Sequence, residues 1–283
     1  MSLRDKFQLP LEVIYSEKPF PEPVFHSHPE YEIYYLHEGA CSYLIGDRIY
    51  TLEPGDLILM HGMTLHSPKV DCRKPYRRSI IHFDASFAHE LLRPPFALNV
   101  LSPFQNIHNI RLHLSGELKQ EVERQLDALH RLYAEESPLA YNRFLIRFLE
   151  LLHAVYDCCE AGGLDSTGSA AHGSGPKEQH VQRIMDYLEA HYMEDIHLEL
   201  LEQELHLNRY YMTKIFKELT GFTIFNYLYQ RRINQAKILF LLEPERPVTE
   251  TGYDTGFKHP SHFTRAFKKI TGMTPESYRR GLT

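Results

Sequence analysis

His26 and His28 stand two residues apart, so on a strand their imidazoles point to the same face. Three residues separate His28 from Glu32, six more separate Glu32 from Gly39, and His66 follows a Gly55-Asp56 turn. Glu32 shares the parity of the two histidines if the next strand pairs in register. Imidazoles and a carboxylate gathered on one face can line a polar pocket. Tyr34, Tyr43 and His82 on neighbouring runs would add ring faces and hydrogen bonds, a combination suited to a sugar or another small polar metabolite. Taken singly, each of these side chains fits ordinary barrel core or surface equally well. A second constellation lies near the C-terminus. Arg209, Tyr210, Thr213, Lys214 and Lys217 fall on one side of a short helical segment, with Tyr211, Ile215 and Phe216 on the other. Ser261, His262, Thr264, Arg265 and Lys268 repeat the arrangement against Phe263 and Phe267. A short helix with one apolar face and one face of donors suits the major groove of DNA, where side chains must reach base edges and phosphates.

The elements that must position these groups follow from the pattern. From Val24 to Phe83 the chain is a series of short runs rich in Tyr, Ile and Val, separated by Glu38-Gly39, Gly46-Asp47 and Glu53-Pro54-Gly55. Short strands at this spacing predict an antiparallel sandwich or barrel. Residues 90–109 hold Pro94, Pro95 and Pro103 and read mainly as loop. Two amphipathic helices follow, one carrying Leu118, Val122, Leu126, Leu129 and Tyr133, the other Leu145, Phe148, Leu149, Leu152 and Val155. Their stripes must be buried on the sheet or on a second copy of the chain. Residues 161–177, AGGLDSTGSAAHGSGPK, lack core-forming side chains and read as a flexible linker.

Beyond the linker the pattern is helical throughout. Asn208 is a natural N-cap for the donor-bearing helix that starts at Arg209. FKELTG at 216–221 returns as FKKITG at 267–272, an internal repeat of about 51 residues. Between the two donor-bearing helices lies one long helix, 223–242, about 30 Å at 1.5 Å per residue. That is close to the roughly 34 Å between successive major grooves on one side of B-DNA.

Composition bounds the function. The 283 residues suffice for two domains, and 43% hydrophobic residues suffice for real cores. A net charge of −6 argues, taken whole, against a protein that coats nucleic acid. The distribution reverses this. Residues 1–176 carry −7, residues 177–207 carry −6, and residues 208–283, which hold both donor-bearing helices, carry +7. No apolar run approaches the roughly 18 residues of a membrane span, and MSLRDKFQLP has no apolar signal region. The four cysteines form no C-x-x-C, and Cys158-Cys159 is a poor disulfide framework, so a cytoplasmic setting is expected.

Residues 178–280 resemble the DNA-binding region of the AraC/XylS-type transcription regulators. The similarity rests on I-H-L-E-x-L at 196–201, Y-M-T-K-I-F-K-E-L-T-G at 211–221, R-I-x-x-A-K-x-L at 232–239, S-x-F-T-R-A-F-K-K at 261–269 and T-G-M-T-P-E-S-Y-R at 271–279. The resemblance implies that Tyr210, Thr213, Lys214, Ser261 and Arg265 read bases. Glu202 stands where the family usually has Ala, Gly252 also replaces Ala, and Thr251 and Thr255 replace branched apolar residues. These departures predict a loosely packed second unit. The His26-Ser27-His28-(x3)-Glu32-(x6)-Gly39 stretch resembles the cupin motif, which implies a divalent cation on His26, His28, Glu32 and His66. Phe20, His61 and Met63 depart from that motif. A metal site, a metal-free polar pocket and structural histidines all remain compatible with the pattern.

The expected fold class is α+β: a cupin-like β-barrel with appended helices over residues 1–160, the linker at 161–177, and an all-α domain with two helix-turn-helix units over 178–283. The expected function is a ligand-responsive, dimeric transcription regulator that binds double-stranded DNA and a small-molecule effector and is not an enzyme. The rival reading is a metal-dependent cupin isomerase or oxygenase, which leaves the last hundred residues unexplained.

Overall fold

A computed structural model describes residues 10–17, 24–61, 63–71, 73–92, 98–106, 109–135, 137–161 and 175–282. Most of the expected linker, residues 162–174, lies outside them, as do Phe20, Cys72, Pro94 and Pro95.

Among the described residues, eight strands form two antiparallel sheets. They are β1 (Leu11–Ser16), β2 (Tyr31–Glu38), β3 (Cys41–Ile45), β4 (Arg48–Leu52), β5 (Asp56–Met60), β6 (His66–Val70), β7 (Arg77–Phe83) and β8 (Ile110–His113). One sheet has the order β1-β7-β2-β5-β8 and the other β4-β3-β6. Three of these strands, β1, β6 and β8, were not among the runs expected from sequence. The VFH run expected as a strand at Val24 contributes a single bridge, His26 to His66. The loop expected at 90–109 contains a short helix, α2 (Ser102–Asn106), preceded by α1 (Ala85–Leu91), which Asp84 caps by accepting from the Phe87 N–H.

The appended helices α3 (Gly116–Tyr133) and α4 (Pro138–Ala161) bury their stripes on the larger sheet. Val122, Leu126 and Leu129 from α3 and Phe144, Phe148, Leu152 and Val155 from α4 share one core with Ile33, Tyr35, Leu57, Ile81 and Phe83. Leu118, expected in the stripe, is exposed, as are Leu139 and Ile146. Cys41, Cys158 and Cys159 are buried free thiols.

The C-terminal region comprises α5 (Pro176–His191), α6 (Leu198–Leu205), α7 (Arg209–Thr220), α8 (Ile224–Leu242), α9 (Val248–Asp254), α10 (Pro260–Thr271) and α11 (Pro275–Arg280). Helices α6–α7 and α9–α10 are the two helix-turn-helix units, and the 19 residues of α8 form a rod of about 28 Å between them. Asn208 caps α7 by accepting from the Tyr210 and Tyr211 N–H groups. Gly221 and Gly272 close α7 and α10 in the left-handed region, φ 86° and 82°, which is why the repeated T-G ends both helices.

The barrel packs directly on the first helix-turn-helix unit. Phe25, Leu44 and Leu65 enter the same core as Val181, Leu205, Phe216 and Tyr227, and Phe25 stacks on Phe222 with centroids 3.9 Å apart. A stripe along α8 faces the barrel rim: the Asn234 amide donates to the Met63 carbonyl (2.9 Å), and Lys237 donates to the Ser27 carbonyl (2.9 Å) and hydroxyl. The Tyr227 hydroxyl sits between the Gly46 carbonyl (3.1 Å) and the Glu189 carboxylate (2.8 Å).

Candidate ligand site and nucleic-acid interface

Strand register assembles the polar cluster. The β2–β7 ladder places Glu32 opposite His82, and the bridge between His26 and His66 joins the motif's start to β6. Both pairs meet where the sheets face each other. Three imidazole Nε2 atoms converge on one oxygen, Glu32 Oε2: His82 at 3.0 Å, His28 at 3.1 Å and His66 at 3.1 Å. The Glu32 side chain is 1% exposed and that of His66 2%, whereas His28 and His82 are 22% and 21% exposed. The cluster therefore has a buried back and an accessible front.

Backbone carbonyls orient the rings. His26 Nδ1 lies 3.1 Å from the Val24 carbonyl, His28 Nδ1 3.2 Å from that of Glu30, and His66 Nδ1 2.8 Å from that of Thr64. A carbonyl only accepts, so each of these Nδ1 atoms carries a proton and donates, which holds each ring with its Nε2 turned toward the cluster. His82 Nδ1 instead faces the Glu12 carboxylate at 3.4 Å. Imidazoles held at Nδ1 by carbonyl or carboxylate, with Nε2 turned to a shared carboxylate, have the outer-shell arrangement of metal-ligating histidines. Among the described residues, buried Glu32 Oε1 and His66 Nε2 find no hydrogen-bond partner. Two triads, His26-Glu32-His66 and His28-Glu32-His82, each bring their ligand atoms within 4.8 Å of one another. The donor set fits a divalent cation of borderline softness.

Electrostatics agree with the geometry. Burial, with the charge of His66 beside it, pushes His26 down to about 3. Burial also works against charge on Glu32, but His66, His28 and His82 together hold its carboxyl well below the usual carboxylate range. For His82, burial is outweighed by the Glu32 and Glu12 carboxylates, and its pKa is raised.

Of the residues expected to line a pocket, His26, His28, Glu32, His66 and His82 come together. Tyr34 and Tyr43 do not line an open space with them. They are 0% and 1% exposed, packed with Met60, Tyr76 and Ile80, and the Tyr34 hydroxyl is shared with that of Tyr76 at 2.7 Å. Alternation along β2 and β3 gave their parity but could not tell an open barrel from a filled one.

On α7, Tyr210 (75% exposed), Lys214 and Lys217 point to solvent, while Thr213 is half-buried and its hydroxyl donates to the Arg209 carbonyl at 3.0 Å. The buried face is Met212, Ile215 and Phe216. Tyr211, expected there, is half-buried with its hydroxyl 3.1 Å from His180 Nδ1. Arg209 is held by Glu199 at 2.8 Å. Glu202 Oε1 accepts from the Arg209 backbone N–H at 3.2 Å, so this departure acts as an auxiliary cap.

On α10, Ser261, His262, Thr264, Arg265 and Lys268 are all exposed over buried Phe263 and Phe267. The second unit is close-packed, contrary to expectation. A Cβ on Gly252 would lie 2.9 Å from Phe263 Cδ1, so glycine permits the approach of α9 to α10. The buried Thr251 and Thr255 hydroxyls donate to helix carbonyls, of Pro247 at 3.2 Å and Thr251 at 2.8 Å. Much of the +7 is internal: Arg231 pairs with Glu189, Arg232 donates to the Tyr192 and Glu194 carbonyls, and Arg246 pairs with Glu243 and Asp254. Lys214, Lys217, Arg265 and Lys268 make no ion pair among the described residues, which leaves them for an outside anion. No described helix is long and apolar enough to cross a membrane.

Comparison with known proteins places both halves. Residues 10–150 match the AraC-like ligand binding domain, and residues 184–281 match a helix-turn-helix domain. An uncharacterized HTH-type transcriptional regulator in the cgkA 5′ region of Pseudoalteromonas carrageenovora is 38% identical over 100 residues, 35% of this chain and 58% of that protein. The match thus spans less than two thirds of that relative. The uncharacterized HTH-type transcriptional regulator YdiP of Escherichia coli K12 is 22% identical over 272 residues, 94% of this chain and 84% of that one. A structure of ToxT from Vibrio cholerae aligns with 96% of this chain and 98% of its own at 14% identity and a TM-score of 0.38. With a ligand-binding barrel ahead of paired helix-turn-helix units, and both halves matched by sequence, the chain belongs to the AraC-type transcription regulators.

Proposed function

We propose that this regulator reads two successive major grooves with α7 and α10, and that a small polar ligand bound at the Glu32 cluster controls how it does so. The observation that carries the reading is the contact between cluster and rod. Ser27, between His26 and His28, and Met63, upstream of His66, are both held by side chains of α8, the helix that fixes the separation of the two readers. A ligand that moves the cluster loops moves the grip of Lys237 and Asn234. The paired exposed faces and the roughly 28 Å rod support adjacent-groove binding. The acidic barrel favours contact through the C-terminal face alone. We further propose that the protein acts in the cytoplasm as a homodimer, joined through the exposed Leu118, Leu139 and Ile146 on α3 and α4.

Gel-shift titration with the upstream region of its own or a neighbouring operon tests the reading. Expected is a sequence-preferring complex that weakens as salt rises. Absence of salt-dependent, sequence-preferring retardation overturns it.

A further inference from the structure

We propose that the front of the cluster is a site for one divalent transition-metal ion, held by His28, Glu32 and His82, with His82 as the ligand that the linear motif does not contain. The proposal rests on the reading of this cluster as the effector site and names the cation as part of what it binds.

Four observations carry it. First, His28 Nε2 and His82 Nε2 lie 3.1 and 3.0 Å from the same carboxylate oxygen. Ligand atoms at neighbouring corners of an octahedral ion with bonds of about 2.1 Å are separated by roughly 3 Å. Second, both rings are held from behind. The Glu30 carbonyl takes the His28 Nδ1–H, and Glu12 backs His82, the carboxylate–histidine pair that orients a ligand and raises its basicity. Third, Glu32 Oε1 and His66 Nε2 are buried and without hydrogen-bond partners among the described residues. An ion beside Glu32 supplies an electrophile for this unpaired carboxylate oxygen. Fourth, His28 and His82 are the accessible members, so an ion on them can exchange and keep positions open for a small polar ligand. The deeper triad, His26-Glu32-His66, has the same donors but its His66 is only 2% exposed. Two imidazoles and one carboxylate select ions such as Fe²⁺, Co²⁺, Ni²⁺ or Zn²⁺ over Mg²⁺ or Ca²⁺.

The experiment uses the full chain, treated with chelator and dialysed. Co²⁺ is titrated while its visible absorbance is followed, and Zn²⁺ is titrated calorimetrically. Wild type should take up one ion per chain. His82→Gln and Glu32→Gln should weaken binding by more than tenfold, and His26→Gln should change it by less than threefold. Glu12→Gln, which leaves every ligand in place on a partly exposed side chain, should weaken it by roughly tenfold. It keeps the test valid if His82→Gln does not fold. No saturable uptake, two ions per chain, or loss of uptake in His26→Gln with His82→Gln unchanged overturns the proposal. Gel shifts run on the same samples separate the failures: DNA binding without metal uptake refutes the cation alone, whereas no DNA binding refutes the regulatory reading beneath it.

Discussion

Gly252→Ala sets two known effects against each other. Gly252 lies inside α9, where alanine is favoured by about 1 kcal/mol on backbone grounds. The structure predicts the opposite outcome. The added Cβ would stand 2.9 Å from Phe263 Cδ1, 3.0 Å from Cγ and 3.3 Å from Cβ, closer than carbon atoms pack. Phe263 is fully buried against Phe257 and Phe267, so its ring cannot swing away without displacing α10. Overpacking of this kind costs about 1–3 kcal/mol, so the net effect is a loss of about 1 kcal/mol on average. Thermal unfolding followed by tyrosine fluorescence, in a chain without tryptophan, should show a midpoint roughly 2–4 °C lower. DNase footprinting should show protection weakened mainly at the half-site of the second reader. The companion change Phe263→Leu should relieve the clash, making the double variant more stable than the two single effects would add to. A midpoint raised by several degrees in Gly252→Ala alone would refute the close approach of α9 and α10.

Other outcomes follow from the same contacts. Lys214→Ala and Arg265→Ala should relax base preference in a binding-site selection, while Lys217→Ala should weaken all sequences alike and reduce the salt slope by about one unit. Glu202→Ala removes the acceptor of the Arg209 N–H, and hydrogen exchange at the start of α7 should speed up, matching a loss of about 0.5–2 kcal/mol. Burial lowers Lys237 from 10.5 to about 8. The docked state therefore holds fewer protons than the undocked one between those values, so docking strengthens as pH rises from 8 to 10.5 and is insensitive to Lys237 below 8. Lys237→Met should abolish that part of the pH dependence, read as the difference between wild type and variant in limited proteolysis. Ile146→Glu should shift the sedimentation of a dimer to that of a monomer while leaving single half-site DNA binding in place.

Much of this molecule was legible in its sequence because the relevant physics is local. Apolar spacing of three and four residues marked α3 through α8, Asn208 announced the start of α7, and the repeated T-G announced where α7 and α10 end. The exposed faces of both readers follow from the same periodicity, although Met212 rather than Tyr211 completes the buried face of α7, one position along the turn. Charge by segment located the basic end. It overstated the free charge, since Arg231, Arg232 and Arg246 are consumed inside the domain.

What tertiary structure alone decided is whatever depends on register and on close approach. Parity puts His26, His28 and Glu32 on one face, but only the β2–β7 ladder brings His82, fifty residues away, against Glu32. The same alternation that marked Tyr34 and Tyr43 as inward could not show that inward means a filled core. A glycine and two threonines in α9 looked like weak packing until Phe263 was seen to fill the space a Cβ would take. The grip of α8 on Ser27 and Met63 joins residues more than 150 positions apart, through a stripe whose composition resembles an ordinary solvated helix face. Sequence fixes the period of each element locally, whereas which faces meet is settled by the packing of all of them together.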